Sequence, residues 1–161
     1  TYRERFLADI SPQPQLPLTD NYPDHMFKRY RAVGAASLTS VDIARDDKVA
    51  RRDYTAEMFA MFHAPTVLFL SLDNQLALEY HLVDTGILTQ SICLLAAQAG
   101  LGTCIMAMAT FYPDILRQEL GIPEDKTQIL GIAMGYPDLE SPLNLFDRER
   151  ASIEAYTRWV E

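Results

Sequence analysis

Apolar and polar residues follow one another along the chain in blocks that predict a succession of helices and strands. Residues 24–37 carry apolar side chains at helical spacing with basic side chains between them, which predicts an amphipathic helix. The apolar runs 66–72 and 127–136 are each followed by turn-forming residues and predict two strands. Because these blocks alternate without an internal repeat, the pattern predicts a single layered fold of the α+β or α/β class.

The middle of the chain contains its most apolar helical segment. Residues 85–99 leave little polar surface, so we expect a helix that Asp84 caps and that is buried on nearly all sides. The glycine-led residues 101–108 that follow are compatible with a turn and then a strand. Aromatic and methionine residues at 54–62 predict another helix, which Pro65 closes.

The two ends of the chain are predicted to differ from its middle. Closely spaced prolines are incompatible with a helix or a central strand, so residues 1–24 are expected to form an extended arm. Residues 25–161 are then expected to form one domain, in which the charged residues 42–53 lie on a solvated helical surface. A short helix is predicted after Pro113, and a closing amphipathic helix at 152–160.

Length and charge limit the classes of function. The chain has 161 residues, enough for one compact domain with a hydrophobic core. Its formal net charge of −8 argues against a nucleic-acid partner, because binding to phosphate backbones needs a surplus of Lys and Arg. No apolar run reaches the roughly eighteen residues that cross a bilayer, so we expect a soluble protein without a membrane partner.

The cysteines and histidines do not form recognisable ligand sets. Cys93 and Cys104 are the only thiols and belong to no Cys-x-x-Cys pair, which favours buried thiols in a reducing compartment such as the cytoplasm. His25, His63 and His81 show no metal-ligand spacing and are interpreted as structural or surface residues. The sequence therefore predicts neither a disulfide framework nor a metal site.

Two blocks of sequence, in matching order and spacing, carry a resemblance to a known enzyme family. Residues 84–104, which end in Gly-Leu-Gly-Thr-Cys, resemble the central helix and following turn of the FMN-dependent nitroreductases. Residues 131–138, Gly-Ile-Ala-Met-Gly-Tyr-Pro-Asp, and the downstream Arg148 and Arg150 resemble the final strand and the phosphate-side loop of that family.

Two shorter motifs upstream extend the resemblance to most of residues 25–160. Ile-Ala-Arg-Asp at 43–46 and Phe-His-Ala-Pro at 62–65 resemble the family patterns Gly-Ile-x-Arg-Asp and Phe-Gly-Ala-Pro. The resemblance implies an α+β fold: a mixed, mainly antiparallel sheet flanked by helices and completed by a dimer partner, with FMN in the interface. It also implies an oxidoreductase that transfers hydride from NAD(P)H through FMN to a small aromatic acceptor, nitroaromatic or quinone-type.

The resemblance also assigns roles to particular residues. Arg148 and Arg150 would reach the FMN phosphate, a dianion that needs charged donors when it leaves water. A further stretch would pack on one face of the flavin and offer it backbone amides: Ile105, Met106, Ala107 and Met108. Without the resemblance, the arginines fit a solvent-exposed role and the stretch fits a plain core strand. Hydride passes directly between stacked rings, so no catalytic acid or base is assigned.

The N-terminus departs from the family pattern. Family members open with an Arg- and Ser-bearing segment that grips the FMN phosphate and continue with a Ser/Asn loop under the flavin; neither is present. Arg3 and Arg5 resemble that opening only superficially and are not assigned to it. The chain is interpreted either as an incomplete record of a longer protein or as a non-catalytic dimeric scaffold that has lost flavin binding. A flavin enzyme with another reaction, dehalogenation or flavin destruction, is a further alternative.

Overall fold

The computed structural model describes residues 1–17 and 22–160, so residues 18–21 of the predicted arm and residue 161 lie outside the described part. The helices are α1 (Tyr2–Leu7), α2 (Asp24–Ser40), α3 (Lys48–Phe59), α4 (Leu78–Gln98), α5 (Pro113–Leu120) and α6 (Pro142–Leu145). The strands are β1 (Thr66–Asp73), β2 (Gly102–Met106) and β3 (Lys126–Gly135). Short 3-10 turns occupy Met61–His63, Ala107–Thr110 and Ile153–Ala155.

The chain divides into two compact units. The first, called the sheet unit, comprises Thr1–Asp20 and Lys48–Pro137; the second, called the arginine unit, comprises Asn21–Asp47 and Asp138–Glu161. The sheet unit holds the three strands with α1, α3, α4 and α5, whereas the arginine unit holds α2 and α6. The predicted phosphate ligands Arg148 and Arg150 therefore lie in the arginine unit, and the predicted flavin-facing residues 105–108 lie in the sheet unit. The expectation that residues 25–161 form one domain stays a prediction.

The sheet has three antiparallel strands in the order β1-β3-β2. The central strand β3 pairs through Gly131 with Phe69 of β1 and with Met106 of β2. Its register with β1 shifts between Leu70 and Ser71, which marks a β-bulge. The two predicted strands are confirmed as β1 and β3, and the antiparallel pairing agrees with the predicted sheet.

The hydrophobic core of the sheet unit joins the strands to α1, α3 and α5. Its buried members are Tyr2, Phe59, Met61, Met106, Ala109, Tyr112, Leu116 and Ala133. Aromatic packing links the elements, because the Phe6 ring stacks on Phe59 with centroids 4.9 Å apart and Tyr2 meets Tyr112 edge-on at 5.5 Å. The core thus depends on residues from the first helix as well as from the sheet.

The prediction of an extended arm is wrong for residues 2–7, which form α1. Thr1 caps this helix by accepting from the Glu4 N–H, and the Glu4 side chain accepts in return from the Thr1 backbone nitrogen. The buried Tyr2 hydroxyl donates to the carbonyl of Tyr112 at 3.1 Å. The prolines begin only at Pro12, so a capped, core-packed helix can precede them.

The helices predicted at 24–37 and after Pro113 are confirmed as α2 and α5. Pro113 lies in the first turn of α5, where its fixed φ suits a helix, and the left-handed Gly121 ends it with a φ of 67°. The helix predicted at 54–62 begins at Lys48, so residues 48–53 of the charged stretch are helical as predicted, whereas the prediction of a helical surface is wrong for residues 42–47. The helix also ends earlier, before the turn Met61–His63.

The prediction for α4 is wrong in two respects. The helix begins seven residues early, at Leu78, so Asp84 lies inside it and contacts His81 Nδ1 at 3.1 Å instead of capping the first turn. Its buried residues within the chain are Thr85, Thr89 and Ala96, while half or more of each of the following side chains is exposed: Val83, Ile87, Leu88, Leu94 and Leu95. In the described ranges no helix is both long and apolar enough to cross a bilayer.

The helix predicted at 152–160 is also absent. The segment contains only the short turn Ile153–Ala155, and the Trp159 side chain is 82% exposed. A short amphipathic helix owes most of its stability to packing of its apolar face. Within the arginine unit the apolar side chains of Ile153 and Tyr156 are exposed as well, so this stabilisation is missing.

Candidate functional site

β2 and the turn after it carry the four residues predicted to face a flavin. β2 pairs with β3 on one side, and no strand in residues 1–17 and 22–160 pairs with its other side. In an antiparallel edge strand, alternate residues direct their N–H and C=O groups away from the sheet. The outer edge of β2 therefore offers main-chain groups to a ligand or to another strand.

The four residues differ in what their side chains can contact. Ile105 is 52% exposed, whereas Met106 is 4% exposed and belongs to the hydrophobic core. Neighbouring residues of a strand point to opposite faces, which explains this difference. Ala107 and Met108 are half-buried in the 3-10 turn, and Met108 packs against the core. Ile105 alone of the four thus presents a largely open apolar side chain, and Met106 fits the alternative of a core strand.

The turn Ala107–Thr110 is held tightly against β3. The Thr110 hydroxyl donates to the Ala107 carbonyl at 3.0 Å, and Ala109 is fully buried. A Cβ atom placed on Gly131 would lie 2.5 Å from the Cβ of Ala109, a separation that real Cβ contacts do not reach. Glycine at 131 therefore allows the close approach that positions the turn.

The arginine unit contains a cleft between α2 and the segment 146–151. Its volume is about 580 Å³. One wall is formed by Arg29, Ala32, Val33 and Ala36, which recur at the spacing of one helix face. Arg148 and Arg150 line the cleft from the other segment, together with Phe146, Asp147, Glu149 and Ala151.

Contacts within residues 143–150 hold the side chains of Arg148 and Arg150 in place. Arg148 Nη2 donates to the Leu143 carbonyl at 2.7 Å, and its Cζ lies 4.3 Å from the centre of the Phe146 ring. Arg150 Nη1 donates to the Glu149 carbonyl at 3.0 Å. A guanidinium carries five N–H donors, so each group keeps donors for a ligand after these contacts. The structure thus brings the predicted basic pair to one cleft.

Two acidic residues of the cleft lie beside Arg148 and Arg150 in the sequence but form no ion pair with them in the described part of the chain. Asp147 and Glu149 alternate with them along the chain and also line the cleft. In the part of the chain that is described, no ion pair joins Arg148 or Arg150 to a carboxylate. Guanidinium groups that are held in place but lack an anionic partner form a donor set that fits a phosphate.

The arginines near the N-terminus are engaged elsewhere. Arg5 forms a 2.7 Å ion pair with Asp114, and Arg3 lies 3.5 Å from Glu57. The Oε2 atom of Glu57 also lies 2.7 Å from His63 Nε2. These pairs lie within the sheet unit and agree with leaving Arg3 and Arg5 out of the candidate site.

A comparison of the chain with known families gives a clear result. The Nitroreductase family matches residues 21–136, which is most of the chain. The chain belongs to the nitroreductase family. The matched range includes β2, its following turn and α4, so the resemblance to the family is confirmed. Arg148 and Arg150 lie outside the matched range, and their role stays a prediction.

Curated members of the family align with most of this chain. Chloronitrobenzene nitroreductase of Comamonas testosteroni is 30% identical over 116 residues, which are 72% of this chain and 51% of that protein. Nitroreductase NfnB of Mycolicibacterium smegmatis is 31% identical over 127 residues, 78% of this chain and 53% of that protein. The chain therefore spans about half the length of these relatives.

Solved structures show the same fold. The FMN and NADPH-dependent nitroreductase NfnB from Sphigopyxis sp. strain HMH superposes with a TM-score of 0.92 at 28% identity, covering 99% of this chain and 73% of that chain. The FMN-dependent NfnB from Mycobacterium smegmatis, solved in complex with NADPH, gives a TM-score of 0.88 at 25% identity, covering 100% and 75%. The predicted nitroreductase-like α+β fold, a mainly antiparallel sheet flanked by helices, is thus confirmed, and its completion by a dimer partner stays a prediction.

Proposed function

We propose that the protein is an FMN-dependent oxidoreductase that passes hydride from NAD(P)H through the flavin to nitroaromatic or quinone-type acceptors. The observation that carries the proposal is the cleft in which Arg148 and Arg150 keep donors and form no ion pair with a carboxylate of the described residues. Membership of the nitroreductase family supports it, as does the FMN dependence of the similar NfnB enzymes.

The proposal gives each part of the chain a task. FMN would supply a ring that accepts and releases hydride, a redox capacity that the side chains lack. Arg148 and Arg150 would hold its phosphate, and the exposed Ile105 side chain would exclude water from the ring. Met106 would contribute through its backbone, because its side chain is in the core. With Ala107 and Met108, it would offer amides where negative charge develops.

The chain would contribute to the reaction by orienting the flavin and nicotinamide rings. Hydride transfer between two stacked rings needs correct placement and no proton relay from the protein. We therefore assign no catalytic acid or base, and the acceptor would occupy the place that the nicotinamide leaves. His63 contacts Glu57 and His81 contacts Asp84, and we assign neither pair a role in the reaction.

A second copy of the chain is the proposed partner. The exposed side chains on α4, which include Ile87, Leu88 and Leu95, form an apolar surface of the kind that a subunit interface covers. No strand of the described residues pairs with the outer edge of β2, so this edge is a further surface that a partner can complete. We propose that both units belong to one domain that is completed in this homodimer.

The two cysteine thiols are the basis for a proposed cellular location. Cys93 and Cys104 are both free. Cys93 is half-buried and Cys104 is exposed, so the prediction that both thiols are buried is wrong. A free, exposed thiol is typical of a reducing compartment. We therefore propose a cytoplasmic location, which fractionation of the source cells would test.

The proposal is tested by the flavin absorption spectrum of the purified protein and by the FMN affinity of two matched variants. The purified protein should bind FMN and bleach when NADPH or NADH is added without oxygen. Arg150→Ala should weaken FMN binding by about tenfold or more, because a charge-assisted bond to phosphate is lost. Arg158→Ala removes the same charge from an exposed position outside the cleft and should leave the affinity unchanged.

The outcomes separate the proposal from its alternatives. Protein that stays colourless and cannot be reconstituted with FMN would fit a non-catalytic scaffold and would overturn the flavin proposal. Protein that binds FMN but is not reduced by either nicotinamide would instead indicate another flavin reaction on this fold.

A further inference from the structure

We infer that Arg29 on α2 is a third guanidinium donor of the cleft and that, with Arg148 and Arg150, it binds a phosphate monoester. The inference rests on the proposed function, since it deepens the assignment of the same cleft. Arg29 lies 119 residues before Arg148 in the sequence, and the fold brings both to one cavity of about 580 Å³.

The position of Arg29 on its helix supports this role. Arg29 shares one face of α2 with Ala32, Val33 and Ala36, and that face forms a wall of the cleft. The alanine side chains end at Cβ, so the wall leaves space into which the longer Arg29 side chain can reach. Val33 adds an apolar surface beside that space.

The guanidinium of Arg29 is available for a ligand. In the described ranges Arg29 forms no ion pair and no hydrogen bond through its side chain. Arg31, two residues along the same helix, is different because its Cζ lies 5.7 Å from the centre of the Phe27 ring. Lys28 is exposed but does not line the cleft.

The charges of the cleft match a phosphate monoester. Three guanidinium groups face two carboxylates, those of Asp147 and Glu149, so the lining carries one net positive charge in a chain of net charge −8. A phosphate monoester carries about −1.5 to −2 charges near neutral pH and accepts through three oxygens. Two ligands of the proposed reaction contain such a group: FMN at its 5′-phosphate and NADPH at its 2′-phosphate.

The test measures binding and does not depend on turnover. Arg29→Gln protein, stripped of flavin, is titrated with FMN and with riboflavin, which has the same ring without the phosphate, and the change in flavin fluorescence is followed. We expect about tenfold weaker FMN binding, equivalent to about 1.4 kcal/mol, and unchanged riboflavin binding. Arg29→Lys should recover part of the loss, because a charge without the planar fork remains.

The matched control is Lys28→Gln. It removes the same charge from the adjacent position of α2, outside the cleft, and should change neither affinity. Circular dichroism melting curves of both variants should coincide with that of the wild type, because Arg29 and Lys28 are both exposed.

A second arm identifies the source of the phosphate. With FMN saturating, the KM values for NADPH and NADH are measured for Arg29→Gln. A selective rise of about tenfold for NADPH, with unchanged FMN binding, would support the inference and assign the cleft to the 2′-phosphate. An effect on FMN and not on riboflavin supports it with FMN as the ligand.

The inference and the proposed function are tested on different proteins, the first on the Arg29→Gln variant and the second on the wild type. If Arg29→Gln matches Lys28→Gln for FMN, riboflavin, NADPH and NADH, the role of Arg29 is overturned while the flavin enzyme stands. If the wild type itself binds no FMN, the proposed function fails, and the inference fails with it.

Discussion

His63 occupies a backbone conformation that glycine adopts more easily. Met61, Phe62 and His63 have φ values of 53°, 50° and 56°, all in the left-handed region. His63 stands where the family pattern Phe-Gly-Ala-Pro has glycine. The left-handed conformation costs an ordinary residue about 1–2 kcal/mol. The 2.7 Å contact of His63 with Glu57 lies on the surface, and exposed contacts of this kind contribute little to stability.

We expect His63→Gly to be more stable than His63→Ala by about 1 kcal/mol, measured by urea unfolding. Both variants lose the imidazole and its contact, and only glycine accepts the positive φ without strain. Lys28 in the right-handed α2 provides the control, where alanine should exceed glycine by about 1 kcal/mol. Equal stability of the two His63 variants would show that this turn is not strained.

The buried phenol of Tyr2 makes stability depend on alkaline pH. Burial, followed by the nearby Asp114 carboxylate, raises the pKa of Tyr2 well above its usual range. Burial also raises the pKa of Tyr112. A group whose pKa is higher in the folded state contributes its full stability below the unfolded value, about 10 for tyrosine. That contribution is lost as pH rises from there towards the folded pKa.

Unfolding free energies should therefore fall above about pH 10, by up to about 1.4 kcal/mol per pH unit for each phenol that stays protonated in the folded state. Tyr2→Phe should reduce this slope, although it costs about 1 kcal/mol at neutral pH through the lost hydrogen bond to Tyr112. Tyr80→Phe, at an exposed position of α4, should leave the slope as it is. Identical slopes for Tyr2→Phe and the wild type would rule out this linkage.

At the scale of elements, the packing of the 107–110 turn against β3 depends on one glycine. Gly131→Ala should destabilise the protein by about 1–3 kcal/mol, because the new methyl group would overlap Ala109 and the turn must shift. Thermal and urea unfolding measure the effect. The double variant Gly131→Ala with Ala109→Gly should recover much of the loss, because it removes the atom that the new methyl group meets.

Gly34→Ala is the control for this substitution. Gly34 lies inside α2, and a Cβ there meets no atom within 4 Å. The same change should therefore stabilise the helix by about 1 kcal/mol. A stabilising or neutral Gly131→Ala would mean that the turn does not need the close approach seen in the structure.

At the scale of the whole molecule, the exposed apolar side of α4 indicates a partner. We expect Leu95→Lys to weaken self-association by about tenfold or more, because a lysine buried without a counter-ion is costly at an interface. Sedimentation over a range of concentrations measures the association. Leu120→Lys, on the similarly exposed end of α5, should associate like the wild type. A monomeric wild type would refute the proposed homodimer.

The sequence by itself determined the local elements and the family. β1, β3, α2 and α5 follow from side-chain periodicity and from the prolines and glycines at their ends, and these signals act over a few neighbouring residues. The basic pair Arg148 and Arg150 could be named because it occupies a fixed place in the ordered motifs. The helical spacing of Arg29, Ala32 and Ala36 was also readable, but nothing in the sequence linked that face to a residue 119 positions away.

Tertiary structure alone decided which of these segments are buried and what they meet. α1 is a helix because Tyr2 finds Tyr112, more than a hundred residues later, and Met106 is closed to a ligand because its side of β2 faces the core. The segment 152–160 lacks the predicted helix because no apolar surface of its own unit covers it. Periodicity specifies which side of an element is apolar, but burial depends on contacts between residues that are distant in sequence.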